Sequence, residues 1–137
     1  MSVSAAYATI MLEALRGELD VAGGPPYWRI YGGGVPAPGG TPPGDLISQC
    51  NLTYPVGTVA GAVLTFAGPF LPAPILAAVN PTWARLHDGL GGYVMDVRAR
   101  LDTVADDPAN PAQVILAAPS MVVGHQIQII AASVSLG

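Results

Sequence analysis

Glycine and proline occur so often along this chain that they limit the helices and strands it can form. Of its 137 residues, seventeen are Gly and fourteen are Pro. In the segment 32–44, ten of the thirteen residues are Gly or Pro, so no helix or strand can persist there. The segment is longer than a connector needs to be, and we predict that it is a surface arm or loop that contacts a partner.

Helical periodicity occurs in one place, at the N-terminus. The pattern predicts a helix over about residues 4–20, with Ser4 as its cap and the Gly-Gly-Pro-Pro run at 23–26 ending it. Apolar residues spaced three and four apart predict which face of this helix is buried. That face comprises Tyr7, Ile10, Met11, Ala14 and Leu15.

Beyond residue 26 the apolar residues recur with a period of two, which is typical of strands. Thr82–Asp88 and Tyr93–Ala99 flank a glycine-rich turn and form the clearest hairpin. We predict further strands or extended segments at Tyr27–Tyr31, Leu46–Tyr54, Thr58–Phe66, Gly68–Pro81, Gln113–Ala117 and Gln126–Val134. The predicted fold class is therefore mainly β: an antiparallel β-sandwich or jelly roll of about seven or eight strands with one N-terminal α-helix. We expect residues 1–137 to form a single domain.

Ionic side chains are scarce. Charged residues make up 10% of the chain, against about 25% in a typical soluble domain, and the cations are five Arg with no Lys. A net charge of −4 argues against nucleic acid as a partner, because a basic patch is needed to displace counterions from phosphates. The low charge also indicates that much of the surface meets other proteins rather than water.

One apolar stretch, Val56–Val79, is long enough to cross a bilayer as a helix. Its second half contains Pro69, Pro72 and Pro74, which would break such a helix. We therefore predict no membrane contact.

The sequence offers little for catalysis, metal binding or cofactor binding, and we predict none of the three. The chain has one cysteine, Cys50, and two histidines, His87 and His125, so a Cys–His dyad stays open as an alternative. The acidic run that begins at Asp102 lacks the spacing of a calcium-binding loop, and Asp96 is expected on a solvated sheet face.

Several short motifs follow the helix in a recognisable order. They are Arg29-Ile30-Tyr31-Gly32-Gly33, Pro43-Gly44-Asp45-Leu46-Ile47, Trp83-Ala84-Arg85-Leu86-His87-Asp88-Gly89, Tyr93-Val94-Met95-Asp96-Val97 and Met121-Val122-Val123-Gly124-His125-Gln126-Ile127-Gln128-Ile129. Over nearly its whole length the chain resembles a group of small structural proteins of tailed bacteriophages, often encoded near capsid genes. The resemblance implies a β-sandwich virion component, specifically a capsid decoration or cement protein without catalytic residues. It also implies synthesis in the host bacterial cytoplasm, a place on the capsid surface, and the major capsid protein or other virion subunits as partners.

The aromatic strand and the Gly/Pro-rich segment are the candidate partner contacts. The residues are Tyr27, Trp28, Tyr31, Val35, Pro36, Pro38, Pro42 and Pro43. We also expect self-association as a dimer or trimer. Two alternatives stay open: a tail or head–tail joining component, and a carbohydrate-binding or enzymatic jelly-roll module in which Trp28 and Trp83 would stack on sugar rings.

Overall fold

In the computed structural model, which describes residues 4–21, 23–68 and 70–135, one helix precedes nine strands. The elements are α1 (Ala5–Val21), β1 (Tyr27–Tyr31), β2 (Leu46–Asn51), β3 (Gly57–Ala60), β4 (Val63–Phe66), β5 (Ala73–Pro74), β6 (Trp83–His87), β7 (Tyr93–Leu101), β8 (Val114–Ala117) and β9 (Gln126–Ser135). The predicted N-terminal helix, the aromatic strand β1 and the β6–β7 hairpin are confirmed.

The strands form a curled, mixed sheet. Its order is β2-β1-β6-β7-β8-β9-β4-β3, and β5 pairs with β9 beside this path. The strand pairs are antiparallel except that of β7 with β8, which is parallel. Residues 102–113 provide the long connection that a parallel pair requires. The mainly-β class is confirmed, whereas the fully antiparallel sandwich or jelly roll is not.

Two predicted strands are divided differently in the structure. Thr58–Phe66, predicted as one strand, is the β3–β4 hairpin, which turns at Gly61 and Ala62 with φ angles of 59° and 62°. Gly61 marks this turn in the sequence, but alanine rarely adopts positive φ, so a turn over Gly61 and Ala62 was not predicted. Of Gly68–Pro81, residue 69 lies outside the described residues, the short strand β5 joins the sheet, and the other residues are irregular because proline cannot donate to a ladder.

Contacts between β2 and the segment around β5 curl the sheet onto itself. The N–H of Leu76 donates to the carbonyl oxygen of Ile47 at 2.7 Å, and Oγ of Ser48 donates to the carbonyl oxygen of Pro74 at 2.9 Å. These bonds place β2, at one end of the strand order, beside a strand that pairs with β9. The core fills the enclosed space, and α1 packs on β3 and β4.

The buried face of α1 is not the predicted one. Ala8, Leu12 and Leu19 face the core, each at most 1% exposed, and of the predicted face only Leu15 joins them, partly buried. Tyr7 and Ile10 of the predicted face are 68% and 63% exposed. The predicted and the observed buried residues both recur at helical spacing. The two faces are offset by a single residue, or about 100° around the helix. An anchor at the C-terminal end fixes the rotation, because Oδ1 of Asp20 accepts a bond from the N–H of Val56 at 2.9 Å.

Candidate protein-interaction surface

Alternation along β1 divides the predicted contact residues between two faces of the sheet. Trp28 points into the core, is 0% exposed, and meets Phe66 edge-on at a ring-centroid distance of 5.4 Å. The prediction that Trp28 contacts a partner is therefore wrong, because its side chain does not reach the surface. Tyr27 and Tyr31 point the other way, onto the outer face of β2, β1, β6 and β7, which we call the aromatic face. Tyr27 is half-buried there, but Tyr31 is 6% exposed, so it too offers almost no surface to a partner, contrary to the prediction.

Two aromatic pairs cross from β1 to β6 on the aromatic face. Tyr27 stacks on His87 with ring centroids 4.9 Å apart, and Tyr31 stacks on Trp83 at 4.5 Å. Nδ1–H of His87 donates to the carbonyl oxygen of Gly91 at 3.2 Å, and burial lowers the pKa of this histidine. The His87 ring is therefore neutral at neutral pH, and the two pairs fix the register between the strands.

A buried ion pair lies beside these aromatic rings. Nε of Arg85 lies 2.7 Å from Oδ1 of Asp96, Nη2 lies 3.1 Å from Oδ2, and the two side chains are 9% and 7% exposed. The Arg85 guanidinium also lies 5.2 Å from the ring centroids of both Trp83 and Tyr93. Hydrogen bonding to Asp96 raises the pKa of Arg85, so the guanidinium stays charged. The expectation that Asp96 lies on a solvated face is wrong.

A second arginine lies directly opposite the first. Arg29 on β1 is the cross-strand neighbour of Arg85 on β6, a position where like charges repel. Nε of Arg29 donates to Oε1 of Gln49 at 3.1 Å, and the guanidinium lies 5.6 Å from the ring centroid of Tyr27. Arg29 thus bonds to Gln49 on β2, and Arg85 bonds to Asp96 on β7. Because these partners lie on opposite sides of the β1–β6 pair, the repulsion between the two guanidinium groups is reduced.

The Gly/Pro-rich segment 32–44, the arm, folds back over the aromatic face. The N–H of Gly39 donates to Oδ2 of Asp96 at 3.2 Å, and Nη2 of Arg85 donates to the carbonyl oxygen of Gly40 at 2.7 Å. Gly39 has a φ of 72°, in the region that favours glycine, and lies against the Tyr93 ring. The buried ion pair therefore holds the middle of the arm in place.

Much of the arm remains accessible while it is held. Val35 is 43% exposed, Pro38 and Pro43 are also exposed, and Pro36 and Pro42 are half-buried. The structure thus places the middle of the arm, Gly39 and Gly40, against the same sheet face as Tyr27 and Tyr31. The residues that sequence reasoning missed are Trp83, Arg85, Tyr93 and Asp96, which join the arm to the sheet.

A second apolar surface lies on α1. Tyr7, Ile10 and Met11 are 68%, 63% and 50% exposed and follow helical spacing, so they form a continuous outward row, the helix stripe. Since Ala8, Leu12 and Leu19 already face the core, α1 is apolar on two sides. A helix with this pattern is typical of one that packs on two partners.

The structure brings neither histidine to Cys50. Cys50 lies opposite Trp28 on the core side of β2, whereas His87 lies opposite Tyr27 on the aromatic face, so the sheet separates them. His125 is exposed in the turn before β9, whereas Cys50 is buried. Within the described ranges no three Asp, Glu, His or Cys side chains come together as a metal site. Trp83, like Trp28, is 0% exposed, so neither indole ring can stack on a sugar.

The thiol of Cys50 is expected to be inert in the folded protein. It is 2% exposed, and burial raises its pKa to about 11, which suppresses the reactive thiolate. We predict no reaction with a disulfide reagent such as Ellman's reagent at pH 8 without denaturant, and stoichiometric reaction in guanidinium chloride. Rapid labelling of the native protein would contradict this placement of β2.

No protein-family model, curated protein or solved structure matches the chain. Within the described residues, no helix is both long enough and apolar enough to cross a membrane.

Proposed function

We propose that this protein is a non-enzymatic structural subunit that acts by binding other proteins, and that its assembly is the virion of a tailed bacteriophage. Its role there is that of a capsid decoration or cement protein, which binds neighbouring major capsid subunits on the outside of the shell. Self-association as a dimer or trimer belongs to the same proposal.

The arm held against the aromatic face is the observation that carries this proposal. Its exposed residues Val35, Pro38 and Pro43 are uncharged, so a partner can cover them without stripping water from an ion. Because the arm is already held by Asp96 and Arg85, binding loses less conformational entropy than it would with a free arm. Beside the arm, Tyr93 is 44% exposed, and tyrosine is a residue type enriched among the side chains that dominate binding energy at protein interfaces.

The helix stripe supports a bridging role. A cement protein must contact at least two neighbours, and the helix stripe and the arm are apolar surfaces on different elements of the fold. Many individually weak contacts of this kind give strong attachment when they repeat over a shell.

Shell binding tests the proposal directly. Shells of the encoding phage, purified from a strain that lacks this gene, would be incubated with the wild-type chain and with Val35→Asp. We expect Val35→Asp to lower occupancy at least tenfold in a co-sedimentation assay, because it places a charge on the contact surface. Val104→Asp is the matched control, because Val104 is also 43% exposed but lies in the loop after β7.

Equal occupancy for Val35→Asp and the wild type would reject the arm as the contact. Failure of the wild-type chain to bind shells would reject the decoration role itself. The copy number per virion, measured by quantitative mass spectrometry, distinguishes a decoration protein from a tail or head–tail joining component. Decoration requires a high copy number, whereas a joining component is present as a small ring.

A further inference from the structure

α1 is apolar along its whole length on the side that points away from the core. Beyond the helix stripe, Val21 is 74% exposed, Ala14 is exposed and Gly17 is partly exposed. At about 100° per residue, these positions and the helix stripe share an arc of about 140° on the described helix, and Glu18 is the one charged residue within that arc. We call the helix stripe together with Ala14, Gly17 and Val21 the outward face of α1.

Gly17 indicates that this face packs against something. Glycine inside a helix is destabilising relative to alanine, so its presence needs a reason. Gly17 has no positive φ, and a Cβ added to it would meet nothing within 4 Å. Neither backbone geometry nor a close approach within the described chain therefore requires glycine at this position. A missing side chain does let another molecule approach the helix backbone closely.

We propose that the outward face of α1 is where two copies of this chain meet, with their helices antiparallel about a two-fold axis at Ala14. Its bulky residues lie in the first half of the helix and its smallest residue lies in the second. The antiparallel arrangement puts Ile10 of one copy within one residue of the level of Gly17 of the other. Tyr7 lies level with Val21, because both are seven residues from Ala14. A parallel pair would set bulky side chains against each other and leave a gap at Gly17.

The charges beside the outward face favour the same arrangement. On one flank of it, Arg16 lies 2.9 Å from Glu13 and 3.2 Å from Asp20, and these side chains are only partly buried. In the antiparallel pair, Glu13 of each copy lies within one residue of the level of Arg16 of the other, so opposite charges meet. In a parallel pair, Glu13 would lie level with Glu13, and like charges would repel. The flank is therefore self-complementary in the antiparallel orientation.

The size of the outward face determines how strong the dimer is. From Tyr7 to Val21 it spans about 21 Å of one helix, which is small beside a standard interface of about 800 Å² per partner. The free dimer is therefore weak, and it forms more fully where copies are concentrated, as on a shell. Since α1 packs on β3 and β4 whereas the arm lies over β6 and β7, the dimer presents two arms. Self-association is part of the proposed function, so this assignment rests on that part of it and not on shell binding.

Disulfide trapping in the full chain tests the orientation. At the two-fold axis, Ala14→Cys places two thiols within the Cα separation of about 4–7 Å that a disulfide spans, so we expect covalent dimers under mild oxidation. Tyr7→Cys and Val21→Cys should each fail to cross-link alone, because the two copies of each residue lie about 21 Å apart. A mixture of these two variants should cross-link. The wild type is the control, since its buried Cys50 should not react.

Sedimentation velocity over a range of concentrations measures the association without a cross-link. We expect the wild type to self-associate, and Ile10→Asp to weaken this at least tenfold, whereas Val104→Asp, outside α1, leaves it unchanged. Absence of the Ala14→Cys disulfide, or equally fast cross-linking of Tyr7→Cys to itself, would overturn the proposal.

The remaining outcomes separate this proposal from the proposed function. Equal association of Ile10→Asp and the wild type would mean that the copies meet elsewhere, and self-association itself would stand. A wild-type chain that stays monomeric but loses shell occupancy with Ile10→Asp would show that the outward face binds the shell instead of a second copy. Conversely, a wild-type chain that forms the Ala14→Cys dimer but does not bind shells would keep this assignment and reject the decoration role.

Discussion

Replacing Asp96 with alanine is expected to destabilise the protein by about 3–5 kcal/mol, the cost typical of breaking a buried ion pair from one side. The substitution leaves the Arg85 guanidinium, 9% exposed, without its counter-charge between the rings of Trp83 and Tyr93. It also removes the acceptor for the N–H of Gly39 in the arm. The free energy of unfolding in urea, measured by circular dichroism, gives the effect.

Asp102→Ala is the matched control for that measurement. It removes the same charge from an exposed position just beyond β7, and no ion pair within the described residues involves Asp102. We expect a change within about 0.5 kcal/mol, as for most surface substitutions. A loss for Asp96→Ala no larger than for Asp102→Ala would show that the Arg85–Asp96 pair is not buried as described.

Asp96→Asn tests how the Asp96 carboxylate holds the arm. This variant keeps the shape of the side chain but removes the charge, so a larger fraction of molecules should stay folded than with alanine. We expect the amide of Gly39 to exchange with solvent faster, because its bond to a carboxylate becomes a weaker bond to an amide. Because binding requires a pre-ordered arm, we also expect Asp96→Asn to occupy fewer sites on shells than the wild type.

The hairpin of β6 and β7 shows how far the sequence could predict the fold. Its strands are locally encoded, because alternating residues flank a turn in which Asp88 Oδ1 accepts the N–H groups of Leu90 and Gly92 at 2.9 and 2.8 Å. The register beyond the turn was not predictable. A shift between Leu86 and His87 moves Asp96 opposite Arg85, whereas the register continued from the turn would place it opposite Ala84 on the core side.

Long-range pairing was the other part that could not be predicted. Nothing local in Gln113–Ala117 indicates that β8 runs parallel to β7 on one side and antiparallel to β9 on the other. Both pairings arise from burial of Val114 and Leu116 in the common core. The candidate surface was also only partly predictable. The composition of residues 32–44 was enough to predict the arm, but the attachment of the arm to Arg85 and Asp96 depends on the tertiary structure.

The rotation of α1 about its axis can be tested with Leu12 and Ile10. The sequence pattern predicted that Ile10 is buried, whereas the structure buries Leu12 and exposes Ile10. Leu12 is 0% exposed and Ile10 is 63% exposed. Leu12→Ala is expected to cost about 2–5 kcal/mol in unfolding free energy through the cavity it leaves.

Ile10→Ala, on the same helix and with a similar change in volume, is expected to stay within about 0.5 kcal/mol, since alanine also has the higher helix propensity. Urea unfolding of both variants under the same conditions decides between the two rotations, and the opposite ranking would return Tyr7, Ile10 and Met11 to the core. If the observed ranking holds, Ile10→Ala becomes the cleaner probe of the helix stripe, because any loss of shell binding would then arise from the surface and not from unfolding.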